Sequence, residues 1–179
     1  MTPYVCLLRG VNLGPTTAMS MAELKQVCAG LGLGSVATYI RSGNVVFTGD
    51  DDADAVRASV GAGIERHFGV AVDVVLRTAE QMAAVVAGNP FPQADPARVS
   101  VAFLGAPVAE QVVQDLGGTD FGADEYAGDG AEIYLHTPNG FGRSKLATRV
   151  STLRRPAVAT VRNWRTVNKL AQMSAALPG

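Results

Sequence analysis

VATYIRSGNVVFT, residues 36–48, has the pattern of a β-hairpin. Two runs rich in β-branched and aromatic residues, 36–41 and 45–48, flank the tripeptide Ser42-Gly43-Asn44. A short loop that contains glycine and asparagine supplies the positive φ values that a tight turn between two strands needs. The segment therefore predicts two neighbouring antiparallel strands.

On each side of this hairpin the sequence predicts one helix and one further strand. A capping box, Ser20-Met21-Ala22-Glu23, precedes an amphipathic helix. Four aspartates crowd the start of a second helix, where the macrodipole favours negative charge: Asp50, Asp51, Asp52 and Asp54. Apolar runs at 4–9 and 70–77 add two strands, which gives the order β-α-β-β-α-β of the ferredoxin-like arrangement.

The second half of the chain repeats this order of predicted elements. Strands are predicted at 99–104, 121–127, 131–136 and 158–161, and helices from Pro107, after Ser144 until Pro156, and from Asn163. We therefore predict an α+β fold with two ferredoxin-like subdomains in tandem and an additional C-terminal helix. Residues 1–88 form the first subdomain with a linking helix, and 93–179 form the second with the basic C-terminal helices, in one cooperative unit. The halves share no evident residue identity, so the repeat rests on element order.

The composition is that of a folded protein in a reducing compartment. Residues of the AVILMFWYC set make up 47% of 179 residues and charged residues 17%, which argues against disorder. No apolar run approaches the roughly 20 residues that span a bilayer, and the N-terminus lacks the basic start of a signal peptide. Cys6 and Cys28 both lie in apolar patterns and are interpreted as core residues. The expected location is the cytoplasm, with no membrane partner.

Charge is divided unevenly along the chain. The formal net charge is −1, yet residues 133–179 contain eight basic and no acidic residues, and residues 1–132 contain seven basic and sixteen acidic ones. The eight are Arg143, Lys145, Arg149, Arg154, Arg155, Arg162, Arg165 and Lys169. Such asymmetry indicates contact with an anion or a nucleic acid. The alternative is that the basic segment packs against the acidic part.

Gly140-Phe141-Gly142-Arg143-Ser144-Lys145 is the first candidate site. It lies between a predicted strand and a predicted helix, where a glycine-rich turn can direct backbone N–H groups toward a phosphate. It lacks the spacing of a Walker A loop. Basic residues at a helix start are disfavoured by roughly 0.3–1 kcal/mol each, and a bound anion would offset this cost. The alternative is pairing with acidic residues elsewhere.

A second basic segment, Arg162-Asn163-Trp164-Arg165-Thr166, begins the last predicted helix, with Lys169 one turn further on. The arginines are candidates for stacking on Trp164 or for contacting an anion. Trp164 also falls on the apolar stripe with Val167 and Leu170, which favours core packing for its ring.

Two further motifs combine an arginine at a strand end with an asparagine in a glycine-containing loop. They are Arg9-Gly10-Val11-Asn12 and Arg41-Ser42-Gly43-Asn44. Loops at strand ends often carry binding groups, but turn chemistry with a salt bridge accounts for the same pattern. His67 and His136 fit no catalytic triad or metal spacing and are interpreted as structural. No metal and no cofactor are predicted, and catalytic residues are not identified.

Three functional hypotheses follow from these motifs. In the leading one, Arg143, Lys145, Arg162, Arg165 and Lys169 supply charge, and Ser144, Asn163 and Thr166 supply hydrogen bonds, to a nucleic acid or a nucleotide. In the second, an enzyme holds a phosphorylated small molecule in a cleft between the halves, and the possible cleft partners are Arg9, Asn12, Arg41, Ser42, Asn44 and Trp164. In the third, the basic segment has a structural role or joins a homodimer.

Four motifs in sequence order carry a resemblance to a known family. They are YVCLLRGVN at 4–12, YIRSGNVVF at 39–47, GFGRSKL at 140–146 and TVRNWRTV at 160–167. With them the chain resembles the family named domain of unknown function 1697, which implies a small bacterial protein with ferredoxin-like subdomains and no established activity. Family members usually carry a second glycine and basic residues after the first motif, whereas this chain has GPTTA at 14–18. An anion contact there would be weaker or differently shaped.

Overall fold

Two four-stranded antiparallel sheets and six α-helices form the described part of the chain. This part comprises residues 1–14, 18–50, 52–154 and 157–179 of a computed structural model. The mixed α+β class is as predicted. The chain divides into two compact units: unit 1 contains Met1–Ala84 with Lys169–Gly179, and unit 2 contains Val85–Asn168. The predicted boundaries near residues 88 and 93 stay a prediction.

Unit 1 is built on a sheet with the strand order β2-β3-β1-β4. Its elements, with the linking helix, are β1 (Thr2–Leu8), α1 (Met21–Gly30), β2 (Gly34–Tyr39), β3 (Asn44–Gly49), α2 (Ala53–Phe68), β4 (Val74–Thr78) and α3 (Ala79–Ala87). The central strand β1 pairs with β3, with Val5 opposite Val46, and with β4, with Val5 opposite Arg77. The predicted hairpin is therefore β2–β3, at one side of this sheet.

The helices of unit 1 begin where side chains cap them. Ser20 Oγ accepts from the Glu23 N–H (3.3 Å) and Asp52 Oδ1 from the Ala55 N–H (3.0 Å). A hydroxyl or carboxylate at this position satisfies an amide that the helix itself leaves unpaired. Helices α1 and α2 pack on one face of the sheet, with a core of Tyr4, Cys6, Leu8, Leu24, Cys28, Val45, Phe47, Val60 and Ile64. Alternate residues of β1 and β3 share this face because the side-chain period of a strand is two.

Unit 2 repeats this connectivity with the strand order β6-β7-β5-β8. Its elements are β5 (Val99–Leu104), α4 (Ala109–Leu116), β6 (Glu125–Asp129), β7 (Glu132–His136), α5 (Lys145–Ser151), β8 (Ala159–Asn163) and the start of α6 (Trp164–Ala175). Ala102, Leu104, Ile133 and Leu135 of the sheet form a core with Val112, Leu116, Leu146 and Val150 of the helices. Ser144 caps α5, since its Oγ accepts from the Ala147 N–H at 2.8 Å.

Several predicted element bounds were wrong. The strand predicted over 36–41 runs from Gly34 to Tyr39, because Tyr39 already pairs with Asn44 and Ile40 has a positive φ of 48°. The strand predicted from residue 70 begins at Val74, because residues 70–73 connect the left-handed helix cap at Gly69 to the sheet. The strand predicted from residue 121 begins at Glu125, because residues 121–124 form a turn. The helix predicted from Pro107 begins at Ala109. The predicted contributions of Asp51, Arg155, Pro156 and the 15–17 stretch lie outside the described residues.

A residue-level repeat is present at the end of the fourth strand of each unit, although the sequence alone did not reveal it. Arg77 and Arg162 are each the penultimate residue of their strand and are each 8% exposed. In both, Nη1 donates to the carbonyl of the preceding residue, at 2.7 Å for Arg77 and 2.9 Å for Arg162. A buried guanidinium requires such acceptors because an unsatisfied charge in the interior is costly.

Both cysteines are fully buried and unpaired by a disulfide, as predicted. Burial raises the pKa of the Cys28 thiol to about 11. Because the thiolate is the reactive form, we expect no reaction of either native thiol with a chromogenic disulfide at pH 8, and two equivalents of reaction in denaturant. Release of one equivalent within minutes from the native protein would contradict this arrangement of the core.

Candidate anion-binding site

A cleft of about 340 Å³ lies within unit 2, between the 120–124 turn and the segment that leads into α5. We call it the 120/143 cleft. Its lining residues are Asp120, Phe121, Gly122, Ala123, Asp124, Asn139, Arg143, Ser144 and Lys145. Arg143, Ser144 and Lys145 belong to the first predicted site. The cleft is at the lower end of the volume range typical of small-molecule pockets, roughly 300–1,000 Å³.

Two exposed cations form one wall of the 120/143 cleft. Arg143 ends a 3₁₀ turn (Phe141–Arg143), and Lys145 is the first residue of α5. Within the described residues, no carboxylate oxygen lies within 4.0 Å of either cationic group. The alternative that these side chains form direct ion pairs inside the protein is therefore not seen in the described part of the chain.

The glycine-rich turn does not offer all of its N–H groups to a ligand. The amides of Gly140, Arg143 and Ser144 donate to the carbonyls of Thr137, Gly140 and Phe141 at 2.9–3.1 Å. Ser144 is buried, and its hydroxyl accepts from the backbone of α5. Helix α5 has only seven residues, so its dipole adds little. What the segment contributes to the cleft is mainly the charge of Arg143 and Lys145.

Two carboxylates of the 120–124 turn line the cleft as a second wall, and the sequence alone did not indicate them. Asp120 is exposed, and its Oδ1 accepts from the Gly122 N–H at 2.8 Å. Asp124 is half-buried, and no described cation lies within 4.0 Å of its carboxylate. Asp124 was hidden by the incorrect strand prediction, because a strand across 121–127 gives no reason to place its side chain in a cleft with the basic segment.

The second basic segment is used largely within the fold. Arg162 Nη1 also donates to Thr160 Oγ1 at 2.8 Å. Asn163 Oδ1 accepts from the Thr166 N–H at 2.8 Å and caps α6. Trp164 is half-buried, and its carbonyl accepts from Asn168 Nδ2. Arg165 and Lys169 are exposed, but Lys169 belongs to unit 1 whereas Arg165 belongs to unit 2.

The arginine and asparagine motifs of unit 1 hold its loops together. Arg9 Nη1 lies 3.4 Å from Asp73 Oδ2. Asn12, at φ +57°, donates from Nδ2 to the carbonyls of Met19 (3.1 Å) and Arg41 (2.7 Å), and its Oδ1 accepts from the Met19 N–H (2.7 Å). These contacts match the predicted alternative of turn chemistry with a salt bridge.

Asn44 closes the β2–β3 hairpin from inside. It is fully buried, and Nδ2 donates to the Tyr39 carbonyl (3.0 Å) and to Ser42 Oγ (2.9 Å). The Arg41 side chain is exposed. Of the five unit 1 residues proposed to face a ligand, Arg41 is the one whose side chain has no partner within the described residues.

Both histidines contact neighbouring side chains. His136 Nδ1 lies 2.6 Å from Glu125 Oε2, directly across the β6–β7 pair, and the rings of His67 and Phe68 meet edge to face. Among the residues that the structure describes, no group of three or more His, Cys, Asp or Glu side chains could hold a metal ion. None of the described helices is long and apolar enough to cross a bilayer.

Comparison with known proteins gives a family and a related structure. The model of the family described as protein of unknown function (DUF1697) matches residues 1–134. The solved structure of the conserved bacterial protein SP0830 from Streptococcus pneumoniae is similar, with a TM-score of 0.82 and 26% identity over 98% of this chain and 99% of that one. No curated protein matches the chain. The matched range includes the carboxylate wall of the 120/143 cleft and ends before the basic wall.

Proposed function

The chain belongs to the DUF1697 family, and we propose that it is an anion-binding module whose site is the 120/143 cleft. The observation that supports this most is the pair of exposed cations, Arg143 and Lys145, with no described carboxylate within 4.0 Å of them. An arginine offers a planar fork of donors to a phosphate, and a lysine adds a compact charge. The ligand that we propose is a nucleic acid or a nucleotide.

The roles within the predicted site are narrower than the sequence suggested. We assign direct contact to Arg143 and Lys145, with Asn139 as an exposed amide in the same cleft. Ser144, Asn163 and Thr166 participate in helix caps, so we assign them the placement of α5 and α6. Arg162 has backbone and hydroxyl acceptors and is buried, which favours a structural role for that part of the basic segment.

We also propose that each unit is a ferredoxin-like subdomain. The strand orders β2-β3-β1-β4 and β6-β7-β5-β8 have the same connectivity, and in each the first strand lies between the third and the fourth. The equivalent positions of Arg77 and Arg162 support a common ancestry for the two units.

Calorimetric titration of the full chain tests the anion site. We expect a short single-stranded oligonucleotide or ATP to bind at about 50 mM salt and to weaken by an order of magnitude or more at about 200 mM. Replacing both cations (Arg143→Ala with Lys145→Ala) should lower affinity about tenfold or more and reduce the salt dependence.

The control is a double variant that loses the same two positive charges at exposed arginines outside the cleft (Arg149→Ala with Arg154→Ala). It should change affinity by less than about threefold, since only general attraction is lost. An equal loss in the two double variants would mean that net charge alone attracts the ligand, and the site assignment would then be wrong.

A further inference from the structure

The 120/143 cleft contains opposite charges that do not neutralise each other directly. Arg143 and Lys145 share it with Asp120 and Asp124, yet no described N–O pair between the two walls is within 4.0 Å. An open space lined by both signs suits a ligand that has complementary groups at its two ends.

From this arrangement we propose, building on the anion site above, that the cleft binds a free nucleotide rather than a nucleic acid strand. The phosphate lies at Arg143 and Lys145, and a ribose hydroxyl or an exocyclic amine of the base donates to Asp124. Carboxylates commonly accept from ribose hydroxyls in nucleotide sites. Asp124 is thus a specificity-determining residue, because it requires a donor at the end of the ligand away from the phosphate.

An aromatic side chain provides the third feature of the cleft. Phe121 is half-buried and lines it, and its ring is held edge to face against Tyr126, with centroids 6.0 Å apart. Ligand pockets typically combine an apolar wall with a few polar groups that fix orientation. A nucleotide has one part for each feature, since it combines a phosphate, hydroxyl or amine donors and an aromatic base.

The carboxylates also weigh against a polymeric ligand. A nucleic acid strand is bound mainly through contacts between cations and successive phosphates. Asp120 and Asp124 would face the neighbouring phosphates of such a strand across a cleft of only about 340 Å³. A single phosphate at the basic wall avoids this repulsion, so the charge arrangement favours a small ligand.

The test compares inorganic phosphate with the four common nucleoside monophosphates, titrated into the full chain and into Asp124→Asn. We expect at least one nucleotide to bind about tenfold tighter than phosphate, as one added hydrogen bond to a charged group implies. Asp124→Asn should weaken that nucleotide at least about fivefold and leave phosphate unchanged or bound more tightly, since a repulsive charge is lost. Asp115→Asn, a carboxylate of α4 outside the cleft, should change neither.

The outcomes separate this inference from the anion site itself. If phosphate binds through Arg143 and Lys145 but no nucleotide binds tighter, or if Asp124→Asn tightens nucleotide and phosphate alike, the nucleotide assignment is wrong and the anion site stands. If neither phosphate nor any nucleotide binds, both are wrong. Thermal unfolding of each variant identifies any that fails to fold. If Asp124→Asn fails to fold, Asp124→Glu and Asp124→Ala replace it, and Asp124→Glu should retain nucleotide binding better than Asp124→Ala.

Discussion

Replacing Gly43 with alanine is expected to destabilise the protein by roughly 2–5 kcal/mol. Two costs are summed in this figure: the strain of alanine in a left-handed backbone conformation, and the clash of its methyl group with packed neighbours. Gly43 has φ +72°, and a Cβ there would meet Val11 Cγ2 at 2.5 Å and Leu8 Cβ at 2.8 Å. The Gly43 carbonyl also accepts from the Leu8 N–H at 2.9 Å, so the turn cannot move away without losing that bond. Denaturant unfolding measures the change.

Gly69 provides the matched control for this substitution. It has φ +69°, and a Cβ there would meet no atom within 4 Å. Gly69→Ala should therefore lower the free energy of unfolding only through the strain of alanine at a positive φ, by about 1 kcal/mol. Equal effects of the two substitutions would show that close packing of the hairpin turn against β1 and its following loop contributes nothing.

Replacing Asn12 with alanine is expected to cost roughly 2–4 kcal/mol, since three hydrogen bonds are lost and alanine tolerates positive φ poorly. Asn12 connects the loop after β1 to Met19, which precedes α1, and to Arg41 in the hairpin turn. One amide thus holds three separate segments of unit 1. Chemical denaturation of the variant gives the value.

Two comparisons separate the contributions at Asn12. Asn12→Gly removes the side-chain hydrogen bonds but accepts φ +57° without strain, so it should be about 1 kcal/mol less damaging than alanine. Asn139→Ala, at an exposed asparagine, should change stability by less than about 0.5 kcal/mol. A value for Asn12→Ala as small as this would mean that the three bonds form equally well with water.

Much of the fold could be predicted from local sequence signals. Ser20, Asp52, Thr78 and Ser144 each cap the helix that follows them. The predicted turn of the β2–β3 hairpin is present but comprises residues 40–43, and Asn44 is already the first residue of β3. These signals are physical and local, because a side chain two or three residues away satisfies a backbone amide. Element starts that depend on tertiary pairing, such as β4 and β6, were misjudged by four residues.

The candidate site was predicted only in part, for a reason of the same kind. Arg143 and Lys145 are charged residues in a turn and at a helix start, so their exposure could be predicted locally. The burial of Arg162 could not, because it depends on the register that places this residue opposite Val101 in the sheet. The carboxylates of the cleft come from a turn about twenty residues earlier, and no periodicity connects Asp124 with Arg143. The hydrogen bonds of Asn12 and Asn44 were likewise not predictable residue by residue, because their amides donate to carbonyls of separate segments, Arg41 and Tyr39.

The most direct test of the central claim is to map the ligand by the backbone amide chemical shifts of the full chain. Titration with phosphate, and then with the tightest nucleoside monophosphate, should perturb residues 120–124 and 139–145 most, with the nucleotide adding to the effect near Asp124. Perturbations centred instead on Arg9, Asn12 and Arg41, or no saturable perturbation with either ligand, would contradict an anion site in the 120/143 cleft.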